Sequence, residues 1–148
     1  MEAEIDPRIR PIAYGIVGLL YDLIGFMRIA FGEDLESALI MICVSDATMQ
    51  KYMPGASPDS EVMLKETLDE SVRGSISRRM IADKTGLPRE TVRRKVAQLV
   101  ARNFLYVDAN GAIRATPRLH DLELRQAVID AHESVKTYQR VVGGYGVT

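Results

Sequence analysis

Gly86-Leu87-Pro88 is the tightest constraint in this sequence. Glycine readily takes the left-handed backbone that stops a helix, and proline biases the residue before it away from helical dihedrals. Apolar residues repeat at helical spacing on both sides of the break. Ile76, Ile81 and Ala82 precede it; Val92, Val96 and Leu99 follow on one stripe, which Asn103 continues by spacing. The pattern predicts a short helix capped by Ser77, with Ile76 and Ile81 as a hydrophobic staple, then a sharp turn. A longer helix follows over 89–103.

The next residues change period. Phe104-Leu105-Tyr106-Val107 reads as a strand, Asp108-Ala109-Asn110-Gly111 as a hairpin turn, and Ala112-Ile113-Arg114-Ala115-Thr116 as the returning strand. Charge is concentrated in the same region. Residues 65–104 hold ten Lys/Arg against five Asp/Glu, whereas residues 1–64 hold four against ten, although the whole chain nets only −1. Within 73–95 the ratio is eight to two. A basic segment in a near-neutral chain is the footprint of a phosphate-binding surface.

Helix, tight turn, longer helix and hairpin, in this order, resemble the winged helix-turn-helix superfamily of bacterial transcription regulators. The residues that carry the resemblance run from Ile76 to Leu99, with Ile81-Ala82, Thr85-Gly86-Leu87-Pro88, Thr91-Val92-Arg93-Arg94, Val96 and Leu99 at their centre. The layout, with helices before and after the module, is similar to MarR-type regulators; Thr91-Val92-Arg93 looks equally like GntR-type domains. The hairpin tip Ala109-Asn110-Gly111 lacks the basic segment usual in MarR-type wings. The resemblance implies a mainly α fold with a small two-to-three-stranded β wing, flanked by N- and C-terminal dimerisation helices. It implies double-stranded DNA as partner, bound at a palindromic site by a homodimer.

A helical wheel says which side chains are left outside. With Val92 at 0°, the apolar stripe centres near 0–20°, while Arg93, Glu90 and Arg94 fall near 100°, 160° and 200°, at about 100° per residue. Arg93 and Arg94 are expected to read bases or phosphates, since guanidinium binds guanine O6 and N7 bidentately, and Glu90 to accept from cytosine N4. Arg89 and Thr91 flank the helix start, and Lys95 completes the set. Arg78 and Arg79, on the first turn of the preceding helix, are expected to take phosphates. Arg114 on the returning strand is expected to reach towards the minor groove.

The flanks read as helical. Residues 11–31 are the most apolar stretch, with a seam of Ile12, Ile16, Leu19, Leu23, Phe26 and Ala30. Its length suits a membrane span, but Asp22 and Arg28 would each cost about 2.5–3.5 kcal/mol at mid-bilayer. A helix packed against a second subunit is the preferred reading. Asp34 caps a second helix to about Tyr52, and Met53-Pro54-Gly55-Ala56-Ser57-Pro58 marks a boundary. A further helix over 57–74 uses Leu64, Leu68 and Val72. Thr116-Pro117 opens the last helix, whose seam is Leu124, Val128, Ala131, Val135, Tyr138 and Val142. The resulting division is 1–56, 57–116 and 117–148.

Composition removes other classes. A lone Cys43 closes no disulfide within the chain, and with two histidines it makes no four-ligand zinc site. His120 and His132 are out of register on one helix, and no nucleophile, phosphate loop or metalloprotease motif is present, so no enzyme and no cofactor are expected. The acidic start Met1–Asp6 carries no secretory pattern, which gives a cytoplasmic expectation. A third reading adds a small apolar effector, held in a cavity bordered by Met41, Met49 and the aromatic residues of the N-terminal helices, although Met and aromatic stripes more often form core. The competing reading is a winged module that docks another protein and leaves DNA alone.

Overall fold

The computed structural model describes residues 1, 3–32 and 34–148. Among the described residues there are five α-helices: α1 (Ile9–Phe31), α2 (Leu35–Gln50), α3 (Arg78–Thr85), α4 (Arg89–Ala101) and α5 (Leu122–Gly143). One two-stranded antiparallel sheet joins β1 (Leu105–Val107) to β2 (Ile113–Ala115), with Leu105 opposite Ala115 and Val107 opposite Ile113. The chain is mainly helical with a small β element. Ile76 adds a single bridge to Ile113 through bonds of 3.0 and 2.8 Å, so a third segment touches the sheet without forming a strand.

The chain forms two compact units, Met1–Ala30 with Glu123–Thr148, and Phe31–Leu122. The division expected at 56/57 therefore falls inside the second unit. The reason is packing: Ile40, Met41 and Val44 of α2 share one core with Ile76, Ile81, Ala82, Val92, Val96, Leu99, Leu105 and Ile113. Eight of these, Met41, Ile76 and Ala82 excepted, are at most 1% exposed, each contributing roughly 1.5–3 kcal/mol of burial. Helix α2 is the floor on which α3 and α4 sit.

Local signals place the ends of α3 and α4. Ser77 Oγ accepts from the Met80 amide at 3.1 Å, and Gly86 stops α3 with φ 74°. Ser77→Ala should cost about 1 kcal/mol in urea unfolding, because the cap has no substitute acceptor. The expected 89–103 helix is shorter than its apolar stripe. Asn103 takes φ 63°, its amide donates to Val100 O, and that of Phe104 donates to Leu99 O at 2.9 Å. That is a left-handed C-terminal cap in which asparagine does the work of glycine.

The helix expected over 57–74 is a loop with one 3-10 turn, Glu61–Met63. Leu64 is 86% exposed, so its helical spacing marks no core face. Tertiary bonds pull the segment out of helix: Lys51 Nζ donates to Ser71 O, and Arg73 donates to Leu68 O, Ala115 O and the Tyr106 hydroxyl. The last helix starts at Leu122 instead of after Thr116: the Thr116 amide extends the hairpin ladder to Phe104 O, and a turn closed by the Asp121 amide on Arg118 O comes before the helix.

In the first unit Gly15 of α1 faces α5; a Cβ there would lie 2.7 Å from Val142 Cγ1. Ala30 is buried and Ile12, Leu19, Leu23 and Phe26 are half-buried, but Ile16 is exposed. On α5 Val142 is buried, while Val128 and Val135 are exposed. Among the described residues α1 is the one helix long and apolar enough to cross a bilayer.

Candidate nucleic-acid interface

Helix α4 divides cleanly between an inner and an outer face. Val92 and Val96 are fully buried and Leu99 is 1% exposed, whereas Arg89, Glu90, Arg93 and Arg94 are exposed and Thr91 is half-buried. Pro88 precedes the helix with no side-chain cap, which leaves the amides of the first turn open at the surface. Arg78 and Arg79 are exposed on the first turn of α3. Among the described residues Arg78, Arg79, Arg89 and Arg94 form no side-chain ion pair, so their charge is uncompensated by contact.

Arg93 differs. Its Nε donates to Glu90 Oε2 at 2.9 Å, and its Nη2 pairs with Glu90 Oε1. The hydrogen bond from Arg93 holds the Glu90 carboxyl below the usual carboxylate range and raises the guanidinium in turn. Arg93, expected to read a base or a phosphate, and Glu90, expected to accept from cytosine, thus form one neutral, exposed pair.

Two of the expected contact residues are turned inward. Lys95 is 15% exposed, and its Nζ lies 3.2 Å from Asp34 Oδ1. The same carboxylate accepts from the Ser37 amide as the cap of α2, so Lys95 joins α4 to the start of α2. Arg114 is 12% exposed and bonded to Asp108 at 2.7 Å, with Nη1 on Arg73 O and Glu70 O. Neither has a guanidinium or ammonium free for a groove. The wheel treats α4 as an isolated rod, and strand alternation alone says nothing about what covers β2.

Arg114 belongs to a network that sequence reasoning did not identify. Tyr106 hydroxyl donates to Glu70 Oε2 at 2.8 Å and accepts from Arg73 Nη2 at 2.8 Å. Arg73, counted in sequence as surface charge, is 9% exposed. The only early signal was a basic residue directly before Gly74. Asp108 closes the hairpin, accepting from the amides of Asn110 and Ala112 as well as from Arg114. The Arg114 bond, helped by the two amides, holds its carboxyl below the ordinary value. A depressed carboxylate stabilises the fold above its unfolded pKa and loses that contribution as pH falls through the lower folded value. The urea midpoint should therefore drop on acidification below about pH 4, and Asp108→Asn should flatten that drop while lowering stability at neutral pH.

The chemistry of other groups is limited. Burial pushes the Cys43 thiol up, which disfavours the reactive thiolate, and among the described residues no cluster of His, Cys, Asp or Glu is arranged to hold a metal. Met41 is core, 2% exposed. Met49 lines a cavity of about 180 Å³ with Tyr52, Val62, Leu68 and Arg73, below the roughly 300–1,000 Å³ usual for ligand sites. No family model matches the chain, and no curated protein or solved structure matches it.

Proposed function

We propose that this protein is a sequence-specific double-stranded DNA-binding regulator of winged helix-turn-helix type, with α4 as the helix that enters the major groove. One observation supports the reading: α4 is anchored by three side chains at most 1% exposed, while Arg89 and Arg94 stand on its outer face without ion pairs among the described residues. Such a helix is held rigidly and presents cationic forks to base edges and phosphates. Arg78 and Arg79 supply backbone contacts from α3. Glu90 and Arg93 hold each other on the same outer face as an exposed pair, which water opens at little cost.

The hairpin plays a minor part in this reading. Its tip carries no basic residue, and Arg114 is occupied, so minor-groove contact is left out of the contact set. A symmetric pair of chains, presenting two such helices about 34 Å apart, accounts for a palindromic site. A cytoplasmic location accords with this activity. No cofactor and no catalytic step enter it.

Fluorescence anisotropy with a random 30-base-pair duplex pool, titrated between low and high salt, tests the class of partner. DNA binding gives an affinity that falls linearly with log salt, by a slope of about −0.9 per phosphate neutralised. A flat or absent response would favour the protein-docking use of the same surface.

A further inference from the structure

The two helices of the first unit, α1 and α5, leave an open groove of about 390 Å³ between them. That volume falls within the roughly 300–1,000 Å³ of small-molecule sites. Tyr14, Gly18, Tyr21 and Asp22 border it from α1 at i, i+4, i+7 and i+8, inside one arc of about 100°. Tyr138 and Val141 border it from α5. Two glycines shape it. Gly15 makes room for the Tyr138 ring, two atoms of which would lie 3.0 Å from a Cβ there. At Gly18 a Cβ would meet nothing within 4 Å, so the absent side chain leaves the stretch between Tyr14 and Asp22 open.

Among the described residues Asp22 is the one charged residue bordering the groove, and its carboxylate forms no ion pair or hydrogen bond. The hydroxyls that α5 brings are engaged: Ser134 Oγ donates to Asp130 O at 3.1 Å, and Thr137 Oγ1 accepts from Arg140 Nη2 at 3.0 Å. Most of the remaining wall is aromatic or aliphatic, and each tyrosine ring presents a negative face. These features sort the possible ligands by charge. An anion would meet a carboxylate and no bordering cation. A neutral apolar molecule would strip water from Asp22 and supply no counter-charge. A primary ammonium would give up its strong hydration for a single carboxylate. A quaternary ammonium holds its water weakly, and ring faces attract it.

We propose that the α1–α5 groove binds an organic cation, a quaternary ammonium with an aryl or alkyl arm. Asp22 pairs with the charged head, the rings of Tyr14, Tyr21 and Tyr138 surround it, and the arm lies along Val17 and Val141. The site differs in place and in charge from the apolar effector cavity expected beside Met41 and Met49. Those residues belong to the other unit, and neither borders this groove. The proposal stands apart from the DNA-binding reading, and its test involves no DNA, so either can fail alone.

The test is calorimetric titration of the full chain with phenyltrimethylammonium chloride, which should bind saturably with one equivalent per chain. Its uncharged isostere tert-butylbenzene and the anion benzoate should each bind at least about ten-fold more weakly, since neither neutralises Asp22. Asp22→Asn should weaken phenyltrimethylammonium binding by a similar factor, whereas Asp59→Asn, on an exposed loop of the other unit, should leave it unchanged. Tyr21→Leu keeps the apolar bulk but removes one ring face, for a loss of about five-fold. Gly18→Leu should abolish binding with an unchanged far-UV circular dichroism spectrum, because the added side chain fills the open stretch. Absence of a saturable heat, with the groove empty or covered by a second copy of the chain, would overturn the site. Equal binding of tert-butylbenzene, or an equal loss in Asp59→Asn and Asp22→Asn, would do the same.

Discussion

Replacing Arg89 and Arg94 together by alanine should lower affinity for a selected duplex at least about 30-fold, since a good bidentate contact is worth about 1–3 kcal/mol. The double variant should also show a shallower salt dependence, by about one unit of slope for each phosphate contact removed. Its urea midpoint should not move, because both side chains are exposed and neither forms an ion pair among the described residues. Lys95→Ala and Arg114→Ala supply the contrast. Both residues are basic and both lie in the expected contact set, yet they are held by Asp34 and Asp108 at 3.2 and 2.7 Å. They should lower stability, and with it the folded fraction, while the salt slope of the folded protein stays unchanged. Unaltered DNA binding by the Arg89/Arg94 variant would remove α4 as the reading helix.

Gly74→Ala is expected to be the most damaging single-methyl addition in the chain. A Cβ at this position would lie 2.0 Å from the carbonyl oxygen of Ala47 and 2.9 Å from its carbon. Both belong to the backbone of α2, so no side-chain rotation relieves the overlap. The Gly74 amide also donates to Thr48 O at 3.1 Å, which fixes the segment against the helix. Relief requires either moving α2, the floor of the core, or breaking that bond together with the neighbouring anchorage of Arg73. A loss of about 3 kcal/mol or more in urea unfolding follows, at the upper end of overpacking costs. Gly143→Ala near the end of α5, where a Cβ would meet nothing within 4 Å, should be neutral or slightly stabilising.

Ser77, Gly86, Pro88 and the Asp108–Gly111 turn act through bonds and dihedrals within about four residues, so their residue types announce them, and the elements they delimit lie where the pattern puts them. The apolar stripe of α4 is equally plain, because burial of Val92, Val96 and Leu99 follows from one periodicity. Asn103 shows the limit: it continues the stripe by spacing, yet the bond from Phe104 to Leu99 O turns it into the stop. Leu64, Leu68 and Val72 show another, since helical spacing is a necessary mark of a helix but competing tertiary donors decide.

Charge is where local reading failed most clearly. Arg94, Lys95, Arg73 and Arg114 are indistinguishable in a count of basic residues, but only the first is exposed without an ion pair among the described residues. Whether a cation is solvated depends on carboxylates and carbonyls up to 61 positions away, as Asp34 is from Lys95, and no periodicity records them. The same holds for α1, whose seam was legible as a stripe but whose exposed side depends on which face the rest of the chain covers. Sequence alone determined the boundaries at Ser77, Gly86 and Pro88, the hairpin and the basic character of residues 73–95, because each is a short-range property. Tertiary structure decided which cations face water, which loop resists helix and which apolar face is left open, because burial is a relation between distant segments.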